Sequence, residues 1–146
     1  MKKIVLIFFF FVFAFKAYSE VQTGKFTNDF YFSYDISKYA VLYYYVPEDY
    51  NANEKYSLII AWYGCGLTPD GYRDLLTDVI AVQKKVIIVA PVIANQETMQ
   101  DYVDFNNEFF KYIYANYSID TNKTIITGFS WGGQLAFELA LSNPED

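Results

Sequence analysis

Histidine is absent from the 146 residues, and cysteine occurs once, at Cys65. Without an imidazole, these residues hold no side chain of the kind that takes a proton near neutral pH in the usual hydrolytic triads. A single cysteine closes no intrachain disulfide, so a hydrophobic core has to hold the fold. The same absences leave zinc and haem without a ligand set, and no metal or other cofactor is expected. Basic residues are few as well. Eleven Lys and Arg stand against 17 Asp and Glu, a formal net charge of −6. That surplus of acid argues against binding nucleic acid or an anionic lipid surface, and by itself it points to no substrate.

Apolar residues are plentiful, at 53%, and aromatic residues reach 21%, with 15 Tyr and 14 Phe. This is enough for the core of one modest domain. The aromatic excess reads first as compositional bias and second as a surface for carbohydrate or aromatic ligands. The N-terminus separates from the rest. Lys2 and Lys3 precede an unbroken apolar run from Ile4 to Phe15, and Ala17-Tyr18-Ser19 offers a small-x-small cleavage site before Glu20. The run is shorter than the roughly 20 residues a membrane span needs. Residues 1–19 are therefore expected to be a cleaved signal peptide, the product being secreted or periplasmic with no membrane attachment after cleavage. An uncleaved N-terminal anchor is the alternative. Cleavage leaves 8 basic and 17 acidic side chains, a net charge of −9.

Beyond the leader, Phe26 to Tyr34 and Tyr39 to Val46 alternate as half-buried antiparallel strands do, the second ended by Pro47. Tyr56 to Tyr63 is denser and reads as a strand covered on both faces. Gly64 to Pro69 breaks it as a loop. Asp70 to Lys85 reads as a helix with Leu75, Leu76, Val79, Ile80 and Val82 on its apolar face. Val86 to Ala90 is a further buried strand, stopped by Pro91. A second helix is expected from Met99 to Tyr117, with Val103, Phe110, Ile113, Tyr114 and Tyr117 inward. Ser118 to Lys123 is a turn, Thr124 to Thr127 a strand, and Gln134 to Leu141 an almost wholly apolar helix. Alternating strands and helices with buried-type strands imply a mostly parallel sheet with flanking helices and right-handed crossovers, led by antiparallel strands.

Thr124-Ile125-Ile126-Thr127 runs straight into Gly128-Phe129-Ser130-Trp131-Gly132-Gly133. A serine two residues from a glycine on either side, between strand and helix, fits a sharp turn that lifts Oγ clear of the sheet. There the next backbone N–H points at a developing oxyanion. Gly128 and Gly132 leave space where the strand and helix backbones approach each other.

With these segments in order, the chain resembles the α/β-hydrolase superfamily, nearest to the secreted serine esterase branch with feruloyl esterases and polyhydroxybutyrate depolymerases. Four blocks carry the resemblance: Tyr45-Val46-Pro47-Glu48-Asp49-Tyr50, Leu58 to Gly66, Val86 to Pro91, and Tyr117-Ser118-Ile119-Asp120 through Gly133. They cover about residues 39–146, the N-terminal half of such a fold. The resemblance implies a serine hydrolase of ester bonds in small molecules or polymers. Ser130 is then the nucleophile, Trp131 and Cys65 give the oxyanion-hole N–H groups, and Gly128, Gly132 and Gly133 shape the elbow. The family usually has His-Gly where this chain has Tyr63-Gly64. Its triad follows the order Ser, acid, His, which places both partners beyond residue 146. Residues 20–146 are then expected to be an incomplete α/β-hydrolase domain.

Other readings of the same residues stay open. Ser130 could sit in an ordinary glycine-rich turn, and Cys65 could be a thiol nucleophile, though no basic cluster accompanies it. Lys111 and Lys123 are candidates for a Ser-Lys arrangement, and Glu138 for a triad acid. Trp62, Tyr63 and Trp131 are candidates to line a cleft, Trp131 best placed because it adjoins Ser130. A catalytically inactive binding protein and a truncated product are the alternatives to an enzyme.

The leader reading has a direct check. In an exporting host, N-terminal sequencing or intact mass of the product should begin at Glu20 or within a couple of residues of it. A mature protein that keeps Met1 and leaves the membrane only with detergent would reverse it.

Overall fold

The computed structural model describes residues 21–80, 85–95 and 98–142. The leader, Val82 and residues 143–146 lie outside the described residues. Eight elements follow in order: β1 (Gly24–Tyr31), β2 (Tyr39–Val46), β3 (Tyr56–Trp62), α1 (Pro69–Ile80), β4 (Val86–Ile93), α2 (Met99–Asn116), β5 (Ile119–Gly128) and α3 (Trp131–Ser142). The strands form one sheet in the order β1-β2-β4-β3-β5. β1 and β2 form an antiparallel hairpin, and β2 runs antiparallel to β4. β4, β3 and β5 are mutually parallel. The expected mixed architecture, a parallel sheet with antiparallel leading strands and flanking helices, is what forms.

Period-two alternation sorts the side chains between the faces. Leu58, Ile60 and Trp62 of β3 join Leu42, Tyr44, Ile87 and Val89 in a core covered by α2 and α3. Ile59 and Ala61 join Val86, Ile88 and Ala90 in a smaller cluster under Tyr72 of α1. β3 is thus covered on both faces, as its dense apolar run predicts. The aromatic excess goes largely into the larger core. Phe30 meets Phe105, Phe109 and Tyr112 edge-on, and Phe105 stacks on Phe109 at 5.3 Å. A tyrosine cluster closes the opposite end. The Tyr50 hydroxyl accepts the N–H of Ser118 at 2.8 Å, and that of Tyr56 accepts the N–H of Asn51 at 2.9 Å. The turn after β2 is thereby tied to the start of β5. Burial there pushes the Tyr117 hydroxyl up to about 12.

Four expectations are corrected. β4 continues through Pro91 to Ile93. Beyond Val89 it pairs with β2 alone, so a missing N–H on its other side interrupts no ladder. β5 starts at Ile119, since residues 120–123 form an irregularity in its pairing with β3 where a turn is expected. In α1 the buried positions are Tyr72, Arg73 and Thr77, whereas Leu75, Val79 and Ile80 are exposed. The cause is orientation: α1 lies chiefly over β4 and β2 and turns Tyr72, Arg73 and Thr77 toward them, so Leu75, Val79 and Ile80 stand off the sheet. In α2 the buried stripe is Tyr102, Phe105, Phe109 and Ile113, with Val103, Phe110, Tyr114 and Tyr117 on its flank. No helix among the described residues is long and apolar enough to cross a membrane.

Two phenylalanines test where the core lies. Phe105→Ala should cost about 3–5 kcal/mol in chemical denaturation, since Phe105 is fully buried among four rings. Phe137→Ala, at an exposed position of α3, should change stability by less than about 0.5 kcal/mol.

Candidate active site

β5 ends at Gly128 and α3 begins at Trp131, so the chain reverses over two residues, Phe129 and Ser130. Ser130 has φ +54, the left-handed region, which costs a residue with a Cβ on the order of 1–2 kcal/mol. Local hydrogen bonds offset that cost. Phe129 C=O accepts the N–H of Gly132 at 2.9 Å, and Ser130 C=O accepts those of Gly133 at 2.9 Å and Gln134 at 3.2 Å. Ser130 is left exposed at the head of a 12-residue helix, whose first N–H groups have no intrahelical acceptor and carry partial positive charge. The predicted strand-turn-helix is formed.

Three glycines let backbones meet around this turn. A Cβ on Gly132 would lie 2.1 Å from the Trp62 carbonyl oxygen and 2.6 Å from that of Tyr63. One on Gly128 would lie 2.0 Å from the Gly132 oxygen. One on Gly64 would lie 2.2 Å from the Phe129 oxygen and 2.9 Å from Ser130 Cβ. Real Cβ contacts are never this short, so each position excludes a side chain while the backbones stay as they are. Gly133 is less confined, at 3.1 Å from the Gly128 oxygen. The Gly64 contact brings the loop after β3 directly against the serine turn.

That loop is itself a tight turn. Gly64 C=O accepts the N–H of Leu67 at 3.2 Å, and Gly66 takes φ +87, which glycine adopts without strain. Thr68 Oγ1 accepts the N–H of Gly71 at 3.2 Å and so caps α1. A hydrogen bond from the Thr68 side chain holds the Asp70 carboxyl below its usual range. Cys65 is exposed between Gly64 and Gly66. Its backbone N–H and that of Trp131 thus belong to two segments joined by the Gly64–Ser130 contact.

Aromatic rings stand behind the turn. Trp131 packs edge-on against Tyr102 at 5.8 Å, Tyr102 against Trp62 at 5.6 Å, and Trp62 against Phe105 at 5.8 Å. Trp62 is core, 2% exposed, while Trp131 is 48% exposed. Tyr102 is absent from the sequence reading. Its place on α2 follows from helical spacing with Phe105 and Phe109, but its contact with Trp131 exists only once α2 and α3 pack side by side.

The remaining candidates stay apart from Ser130. Lys123 pairs with Asp120 at 3.2 Å in the irregular first half of β5, at the other end of that strand. Lys111 is exposed on α2. Glu138 accepts a hydrogen bond from Gln134 at 3.0 Å, two turns along α3. Among the described residues no group of three or more His, Cys, Asp or Glu is placed to hold a metal ion.

The chain is similar to known esterases in sequence and in fold. The family model Esterase, described as "Putative esterase", matches residues 36–146. Probable feruloyl esterase C of Aspergillus niger is 27% identical over 110 residues, which span 69% of this chain and 41% of that protein. The chain therefore spans less than half the length of that relative. A thermostable esterase superposes with TM-score 0.64 at 17% identity, covering 80% of this chain and 36% of that one. The S-formylglutathione hydrolase of Staphylococcus aureus gives TM-score 0.64 at 19% identity, covering 86% and 54%. A ferulic acid esterase of Anaeromyces mucronatus gives 0.56 at 19%, covering 84% and 56%.

Alanine at each glycine tests the close approaches. In a helix Ala is favoured over Gly by about 1 kcal/mol, so Gly132→Ala would stabilise α3 if space allowed. The 2.1 Å approach to the Trp62 oxygen predicts the opposite sign, a loss of more than about 3 kcal/mol or no folding. Gly128→Ala should behave alike, and Gly133→Ala should be close to neutral. Thermal unfolding of the three variants provides the check.

Proposed function

Because this chain belongs to the Esterase family, we propose that it is the nucleophile-bearing part of a serine hydrolase of carboxylic esters. The observation that carries the reading is Ser130 held at φ +54 between β5 and α3, with the loop after β3 packed against it through Gly64. In the proposed reaction Ser130 Oγ attacks the ester carbonyl carbon as its proton passes to a base. The carbonyl oxygen becomes an oxyanion, stabilised by the backbone N–H groups of Trp131 and Cys65. Collapse of the tetrahedral intermediate breaks the bond to the alcohol, which leaves with the proton. Water then adds to the acyl-serine and releases the acid.

With no histidine among residues 1–146, the proposed mechanism takes its imidazole and the accompanying carboxylate from outside them. The second reading is an esterase-like protein that binds esters without turnover. The ester is a small molecule or a polymer, met outside the cytoplasm after removal of residues 1–19. No cofactor takes part.

Two measurements test the assignment. The isolated 146-residue chain should hydrolyse p-nitrophenyl acetate about 10⁴-fold or more below ordinary esterase rates, the usual cost of removing a triad member. With imidazole added as an external base, p-nitrophenyl acetate should acetylate Ser130, detected by peptide mass, and Ser130→Ala should abolish that label. Acetylation confined to Cys65, with Ser130 untouched, would overturn the assignment.

A further inference from the structure

Polar atoms are shut into the aromatic layer between α2 and β3. Asn106 is 1% exposed and Trp62 is 2% exposed. Among the described residues, Asn106 Nδ2, Asn106 Oδ1 and Trp62 Nε1 have no hydrogen-bond partner. Burial without a partner is costly, and native folds nearly always meet such groups with protein or with ordered water. The two residues occupy one region. Asn106 belongs to the buried stripe of α2, one turn after Tyr102 and directly after Phe105. The Trp62 ring meets those same two neighbours, Tyr102 at 5.6 Å and Phe105 at 5.8 Å. Helical side chains lean toward the N-terminus, so the carboxamide of Asn106 is carried toward the turn of Tyr102, against which the indole lies.

We infer that Asn106 and Trp62 form a binding site for one buried water molecule, which ties α2 to the end of β3. The two side chains make no direct bond with each other, and polar groups held more than about 3.5 Å apart are spaced for a water between them. The water accepts the indole N–H. In one orientation of the amide it donates to the Asn106 carbonyl, and in the other it accepts a second N–H from Nδ2. A direct bond from the indole to Oδ1 would leave Nδ2 unserved. The place gives the site its consequence. The carbonyl oxygen of the same Trp62 accepts the N–H of Phe129 at 3.1 Å and stands 2.1 Å from where a Cβ on Gly132 would be. The residue that holds the water therefore also holds the turn that bears Ser130. This inference stands whether or not Ser130 is a nucleophile.

The chain has 2 Trp, so two indole N–H signals report on the site by NMR, and Trp131→Phe assigns them. In the 146-residue chain the Trp62 indole proton should exchange slowly with solvent and yet show a nuclear Overhauser cross-peak to water. Trp131, 48% exposed, should exchange fast and serves as the contrast. Asn106→Leu, close in size and without polar atoms, should remove the Trp62 cross-peak and shift its indole signal upfield. Tyr102→Phe, which takes an exchangeable hydroxyl from a ring that packs on the indole, should leave the cross-peak in place. A Trp62 indole proton with no cross-peak to water in the unaltered chain would overturn the inference. A cross-peak that survives Asn106→Leu, or one that disappears in Tyr102→Phe, would do the same. Should the leucine variant fail to fold, the unaltered chain and Tyr102→Phe still decide between a bound water and a dry or hydroxyl-relayed contact.

Discussion

Trp62 joins the core to the serine turn at two places. Its carbonyl oxygen accepts the N–H of Phe129 at 3.1 Å and also lies where a Cβ on Gly132 would be, so β3 holds the last residue before Ser130 and the first turn of α3 together. Its indole, 2% exposed, carries the row of rings that reaches Trp131 through Tyr102. One buried residue at the end of one strand thus sets both the backbone and the aromatic surroundings of the site. The left-handed φ of Ser130 persists because these neighbours leave the chain no relaxed alternative at that point.

The sheet is built unequally about β3. On the side of β4 and β2 it continues into the β1–β2 hairpin, and Ile59 and Ala61 are buried with Val86, Ile88 and Ala90 under α1. On the other side β5 pairs only with β3 among the described residues. Ile125, the register partner of Ile59, is 54% exposed there, while Ile59 is 4% exposed. Phe129, Phe137 and Leu141 are exposed on or near the same strand and helix. A strand edge with apolar residues beside it is a surface that readily pairs with another strand.

Much of this was legible in the sequence. Tyr39 to Val46 reads as a strand ended by Pro47, and burial alternates along β2 because Ala40, Leu42, Tyr44 and Val46 enter the larger core while Tyr43 and Tyr45 lie partly buried against the smaller cluster. The sharp turn between β5 and α3 was legible because its demands are local: a left-handed residue and glycines at fixed offsets are needed wherever such a turn occurs. Pro91 misled because a proline ends a strand only where its N–H would have met a partner, and pairing is not a local property. Leu75 and Val79 misled for a related reason, since an apolar helix face predicts burial only if something lies beneath it.

The sequence by itself determined the strand and helix types, the turn that bears Ser130, and the absence of histidine and of any second cysteine. Each follows from residue identity or from short-range spacing. Only the tertiary structure decided that Gly64 touches Ser130 across 66 positions, that Trp62 is interior while Trp131 is exposed, and that Tyr102 stands between them. These depend on which strands become neighbours and on how α2 and α3 settle against the sheet. Side-chain periods set the face of an element, and packing between elements sets what that face meets.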